Sequence, residues 1–211
     1  MKNILLVGDS IREGYDKYVK MAFDGVANVY YPNENCRFST YVLRHLCDWK
    51  DAFTNGVKID LIHWNAGLWD ALIMQDGMPL IDIEEYKKNI ERICKMIKIL
   101  FPRAEMIFAT STPVQENLFT GFKRFNKMTE SYNAAAVKIV MSHGGKINDL
   151  YELMKNQPIE YHSDRTHYYT KEGTRVITNK VIGYIEEALG ISASPLDYDL
   201  LFKEKSAFVG L

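Results

Sequence analysis

Short apolar runs alternate with amphipathic stretches along the whole chain. The run Ile4-Leu5-Leu6-Val7 carries no polar residue on either face, the pattern of a parallel strand buried on both sides. With its flank it predicts a strand at 3–7, and further runs predict strands at 27–31, 60–64, 105–109 and 146–147. Between them, helical spacing of apolar residues predicts helices over 15–23, 40–53, 83–100, 124–142 and 171–189. The stretch 83–100 is the clearest, with Tyr86, Ile90, Ile93, Cys94, Ile97 and Leu100 on one face and Pro102 to stop it. Strands alternating with helices predict a parallel sheet covered by helices on both faces. The expected fold is α/β: a flavodoxin-like three-layer α/β/α sandwich around a central, mostly parallel five-stranded sheet.

Composition narrows the function classes. The chain has 211 residues, which suits one domain with a full core. We place that domain at 1–191 and read 192–211 as a C-terminal extension. Leu200, Leu201, Phe202, Phe208, Val209 and Leu211 make it too apolar for a free tail, so it is expected to pack on the domain or on a second copy. Formal net charge is −1, which favours neither nucleic acid nor an anionic membrane surface as partner. No apolar run approaches the roughly 18 residues of a membrane-spanning helix. The apolar run at the N-terminus is also shorter than a secretory signal core, so a cytoplasmic protein is expected. Cys36, Cys47 and Cys94 are scattered without CxxC spacing and read as reduced thiols. No cluster of His, Cys and Asp has metal-ligand spacing, so neither metal nor cofactor is expected.

In open parallel sheets, ligands bind beyond the carboxyl ends of the strands. Ser10 follows the first strand in Gly8-Asp9-Ser10, and Asp164-Arg165-Thr166-His167 lies in the loop after the fifth. A serine hydroxyl is a weak nucleophile until a base takes its proton, and the base needs a third group to hold its tautomer. These segments offer Ser10 as nucleophile, His167 as base and Asp164 as its orienting acid. Ser10 has a second reading as a helix N-cap, with Glu13 completing a capping box. His63, inside a strand, reads as a core histidine, and His162 is the nearest rival base.

Gly8-Asp9-Ser10-Ile11, the strand and loop from Asp60 to Asp70, and Asp164-Arg165-Thr166-His167 together resemble the SGNH/GDSL hydrolases. The resemblance runs from about residue 3 to 190. It implies serine ester hydrolysis and an oxyanion hole built from the Ser10 backbone N–H and two further donors. Here the chain departs from the family. Cys36 stands where a glycine would supply a backbone N–H, and Trp69 stands where matching Gly67 to the family's glycine would place an asparagine. Cys36 is expected to keep the backbone donor, and Asn65, at the strand end, to supply the amide. Arg12, Trp69, Glu116 and Tyr168 are expected to contact substrate. The reading is an acetylesterase-like enzyme for small acyl esters, its substrate a small molecule or a carbohydrate. Two alternatives stay open: a catalytically impaired binding protein on the same fold, and a flavodoxin-like nucleotide or phosphate binder. The second lacks a Gly-rich phosphate loop or P-loop lysine.

Overall fold

The computed structural model describes residues 1–54 and 56–207. Five strands, β1 (Lys2–Val7), β2 (Ala27–Tyr30), β3 (Leu61–Trp64), β4 (Glu105–Ala109) and β5 (Lys146–Asn148), form one sheet in the order β2-β1-β3-β4-β5. Every pairing is parallel. The α-helices are α1 (Ser10–Ala22), α2 (Ser39–Thr54), α3 (Ile83–Leu100), α4 (Asn126–Ser142), α5 (Leu150–Lys155), α6 (Lys171–Leu189) and α7 (Tyr198–Ala207).

The fully apolar run of β1 is explained by its central position. Leu5 and Val7 join Ile62, Trp64 and Phe108 beneath α2, α3 and α4. Ile4 and Leu6 join Leu61 and Ile107 beneath α1, α5 and α6. Two apolar layers thus sandwich the sheet, and the strands' alternating side chains feed both. At roughly 25 cal/mol per Å² of apolar surface, these two layers are the main favourable contribution to folding.

Helix α3 matches its predicted bounds. Asp82 caps it by accepting from the N–H groups of Glu84 and Glu85, and Pro102 follows the C-cap Phe101. Helix α1 starts five positions earlier than the predicted 15, because the Asp9 carboxylate accepts from Ile11 N at 2.9 Å and nucleates the first turn. Helix α4 starts at Asn126, two positions later than predicted. Lys123 is held instead in an antiparallel bridge with Ile73, which leaves Arg124 in the loop.

The C-terminal extension packs on its own domain through α7. Tyr18 of α1 stacks on Phe202 and touches Tyr198, and the Tyr198 hydroxyl donates to Asn179 of α6. Phe208, Val209 and Leu211 lie outside the described residues. Among the described residues, no helix is long and apolar enough to cross a membrane.

Candidate active site

The turn after β1 is built around close approach. A Cβ on Gly8 would lie 1.8 Å from Asn65 Oδ1, so only glycine lets β1 and β3 end side by side here. Asp9 then takes the capping role, which frees the Ser10 hydroxyl. Ser10 becomes the first residue of α1, with its own N–H among those that a helix N-terminus leaves without an intrahelical acceptor. The Tyr169 hydroxyl donates to the Ser10 carbonyl and braces the turn from the far side.

The loop before α6 brings the other two groups. His167 Nε2 lies 2.7 Å from Ser10 Oγ, and His167 Nδ1 lies 2.7 Å from Asp164 Oδ2. The second carboxylate oxygen of Asp164 accepts from the backbone N–H groups of Thr166 and His167, at 2.7 and 2.9 Å. One aspartate thereby folds the loop and orients the imidazole. Burial pushes the Asp164 carboxyl up, but the His167 contact and the two backbone donors outweigh it and hold it below the ordinary range. An ionised Asp164 accepts from Nδ1–H, which leaves the Nε2 lone pair facing the serine hydroxyl. Tyr169 stacks on the imidazole at 4.7 Å between centroids and limits its rotation.

The oxyanion side differs from expectation. The Cys36 N–H, expected to face the site, donates to the Gly8 carbonyl at 3.0 Å and is spent on holding the second loop to the nucleophile turn. Burial pushes the Cys36 thiol up to about 11, so it stays protonated at neutral pH. Asn65 is only 4% exposed and packs under Gly8. Its amide is near enough to the Asp9 carboxyl to help hold that group's pKa down against burial. Of the three expected donors, the Cys36 N–H is the one with a hydrogen-bond partner elsewhere.

The expected substrate contacts divide. Trp69 lines the same cleft as Ser10 and His167, a cavity of about 580 Å³, within the usual size of small-molecule sites. Arg12 is instead 1% exposed. It pairs with Asp16 and donates to the Glu34 and Gly8 carbonyls, as an internal clamp. Glu116 accepts from Asn126 N and anchors the start of α4. Tyr168 is buried, donates to the Pro113 carbonyl at 3.0 Å and packs on His162. Glu116 and Tyr168 line a neighbouring depression, not the cleft of Ser10.

Three further residues shape the surroundings of the site. Asp70 accepts from both the N–H and the hydroxyl of Ser39, tying the loop after β3 to the start of α2. Burial raises its pKa to about 6 against those hydrogen bonds. Gly67, at φ 141°, sits against the Tyr86 and Ser111 hydroxyls where a side chain would be strained. Arg124 reaches the cleft wall from the loop before α4. A helical assignment for residues 124–142 hides it; the aromatic and basic cluster Phe119–Phe125 was the available signal.

No protein-family model and no curated protein matches this sequence. Solved structures do. A lipase/acylhydrolase from Enterococcus faecalis superposes with a TM-score of 0.71 at 18% identity, over 93% of this chain and all of that one. A GDSL-like lipase from Bacteroides thetaiotaomicron gives 0.65 at 18% identity, over 89% of each chain. An acetyl xylan esterase gives 0.67 at 14% identity, over 87% of this chain and 99% of that one. With a five-stranded all-parallel sheet inside three layers, the chain has the fold of the SGNH/GDSL hydrolases.

Proposed function

We propose that this chain is a serine esterase acting on small acyl esters. The observation that carries the reading is the continuous hydrogen-bonded chain Ser10–His167–Asp164 at the carboxyl end of the sheet. Ser10 Oγ attacks the ester carbonyl while His167 Nε2 takes its proton. Asp164 stabilises the resulting imidazolium without itself being protonated. The Ser10 N–H, at the positive end of α1, faces the oxygen that becomes negative. His167 then returns the proton to the departing alcohol. In the second half it takes a proton from water, which releases the acid from Ser10.

With the Cys36 N–H committed to Gly8, one expected oxyanion donor is absent. Loss of such a donor costs about 2.7–4 kcal/mol of transition-state stabilisation, so the enzyme is expected to be slow rather than inactive. The cleft walls supplied by Trp69, Leu72 and Phe122 suit a small acyl group and a flat alcohol, which supports an acetylated carbohydrate as substrate class. The same missing donor favours a second reading, a binding protein that keeps the fold without turnover. Hydrolysis of 4-nitrophenyl acetate, butyrate and octanoate separates the two. Turnover that favours acetate and falls to background in Ser10→Ala and His167→Ala supports the esterase. Background rates in all three proteins support the binding protein.

A further inference from the structure

Burial of a guanidinium is expensive unless a counter-charge meets it. Arg124 is 7% exposed and lines the cleft beside Ser10. Its Nε donates to the Leu68 carbonyl at 3.1 Å, which fixes the head group next to Trp69. Arg165, two residues before His167, lines the same cleft. Both guanidinium groups pack on the Phe119 and Phe122 rings, Arg124 at 5.8 and 5.6 Å and Arg165 at 4.7 and 5.1 Å. Among the described residues, neither arginine makes an ion pair with a carboxylate. Asp164 is committed to His167 and the loop backbone and Glu116 to Asn126 N, while Asp9 caps α1 through one oxygen and acts on Arg124 by its charge without an ion-pair contact.

Two cations therefore share one cleft, and among the described residues neither has a carboxylate in ion-pair contact. Burial and the neighbouring Arg165 charge both press the Arg124 pKa down, with Asp9 opposing them. Aromatic faces compensate a guanidinium only in part. The planar fork of an arginine matches the oxygens of a carboxylate or a phosphate.

We propose that Arg124 and Arg165 form an anion subsite next to the nucleophile, so that the preferred ester carries a carboxylate or phosphate close to the bond that is cut. This inference rests on the esterase reading and narrows its substrate class. A neutral acetyl ester would fill only the acyl pocket. An ester with an acidic group would also neutralise the two cations.

Two matched pairs of substrates test it. The first is 4-acetoxybenzoate against its neutral methyl ester, with the charge on the alcohol side. The second is mono-4-nitrophenyl succinate against 4-nitrophenyl butyrate, with the charge on the acyl side. In one pair, the anionic member is expected to be favoured about tenfold in kcat/KM, the size of one charged hydrogen bond. The favoured pair identifies which side of the ester carries the charge. Arg165→Gln and Arg124→Gln are each expected to remove most of that preference, mainly by raising KM for the anionic member. High salt is expected to shrink the preference. A ratio at or below one in both pairs overturns the proposal, as does a ratio that survives both substitutions. Equal losses on both members of a pair also overturn it and make Arg124 a donor to the reacting carbonyl.

Arg165→Gln guards against misfolding of the more buried Arg124 variant. If the wild type hydrolyses no ester faster than Ser10→Ala, the esterase reading fails by itself. Calorimetric titration of the Ser10→Ala protein with inorganic phosphate and with succinate then decides the subsite. Binding lost on adding Arg165→Gln upholds it, and no binding of either anion overturns it.

Discussion

Two histidines of this chain sit in similar hydrogen-bonded chains that differ in their third group. His167 lies between the Ser10 hydroxyl and the Asp164 carboxylate, partly open to solvent. His63 lies between the Tyr15 hydroxyl, 3.3 Å from Nδ1, and the Asn148 amide, 3.1 Å from Nε2, and is wholly buried. The third group makes the difference. A carboxylate stabilises the imidazolium that proton transfer from serine creates, whereas the Asn148 amide cannot. Burial pushes the His63 pKa down to about 3, so it remains neutral across the physiological range. Burial also pushes the Tyr15 hydroxyl far above its ordinary range, so it will not ionise as a nucleophile. A hydroxyl beside an imidazole thus becomes reactive only with a charged third partner and access to solvent.

The contrast is broken most strongly at the reactive set. Ser10→Ala or His167→Ala is expected to lower kcat by about 10⁶-fold, to the rate left by the remaining site, measured with 4-nitrophenyl acetate. Asp164→Asn keeps the shape but removes the charge and lets the wrong tautomer form. A fall of about 10⁴-fold in kcat with little change in KM is expected.

At the buried set, effects should fall on stability instead. His63→Gln leaves Tyr15 and Asn148 without their buried partner and is expected to cost about 1–3 kcal/mol at pH 7, read from urea unfolding, with kcat preserved. The pH dependence has a definite sign. Because the folded pKa of His63 lies below the ordinary 6.5, the unfolded chain takes up the proton first as pH falls. The stability held by neutral His63 is complete above about pH 6.5 and is lost at roughly 1.4 kcal/mol per pH unit below it. Asp70, raised to about 6, acts in the opposite direction between its ordinary 3.8 and 6. The test is therefore the difference between wild type and His63→Gln, where Asp70 cancels. That gap is expected to close, and to reverse where it is small at pH 7, as pH falls from 6.5 to 4. The smallest effect is expected at Cys36→Ala, since the Cys36 side chain takes no part in the chemistry and its N–H bond to Gly8 survives. A change of less than about threefold in kcat, with about 1 kcal/mol of stability lost for the buried sulfur, fits that role.

The fold was legible because its strands are apolar on both faces and its helices on one, so periodicity alone separates them. Ser10, Asp164 and His167 were legible as candidates because each stands in a short motif, Ser10 at the end of β1 and the other two in the loop before α6. The oxyanion side was not. Whether a backbone N–H faces a cleft or bonds a neighbouring strand end, as Cys36 bonds Gly8, depends on two loops meeting in space. Arg12 misled for a related reason. Its place two residues after Ser10 suggested substrate, but helical geometry turns it inward to Asp16. Arg124 was hidden by its assignment to a helix, whose start is set instead by the bridge between Ile73 and Lys123.

The most direct test of the central claim is reaction with a fluorophosphonate, which modifies only a serine activated by its own site. The wild type is expected to gain one adduct, mapped by peptide mass spectrometry to Ser10, and His167→Ala is expected to gain none. Labelling that persists in His167→Ala, that maps to another residue, or that fails in the folded wild type would contradict Ser10 as a nucleophile driven by His167.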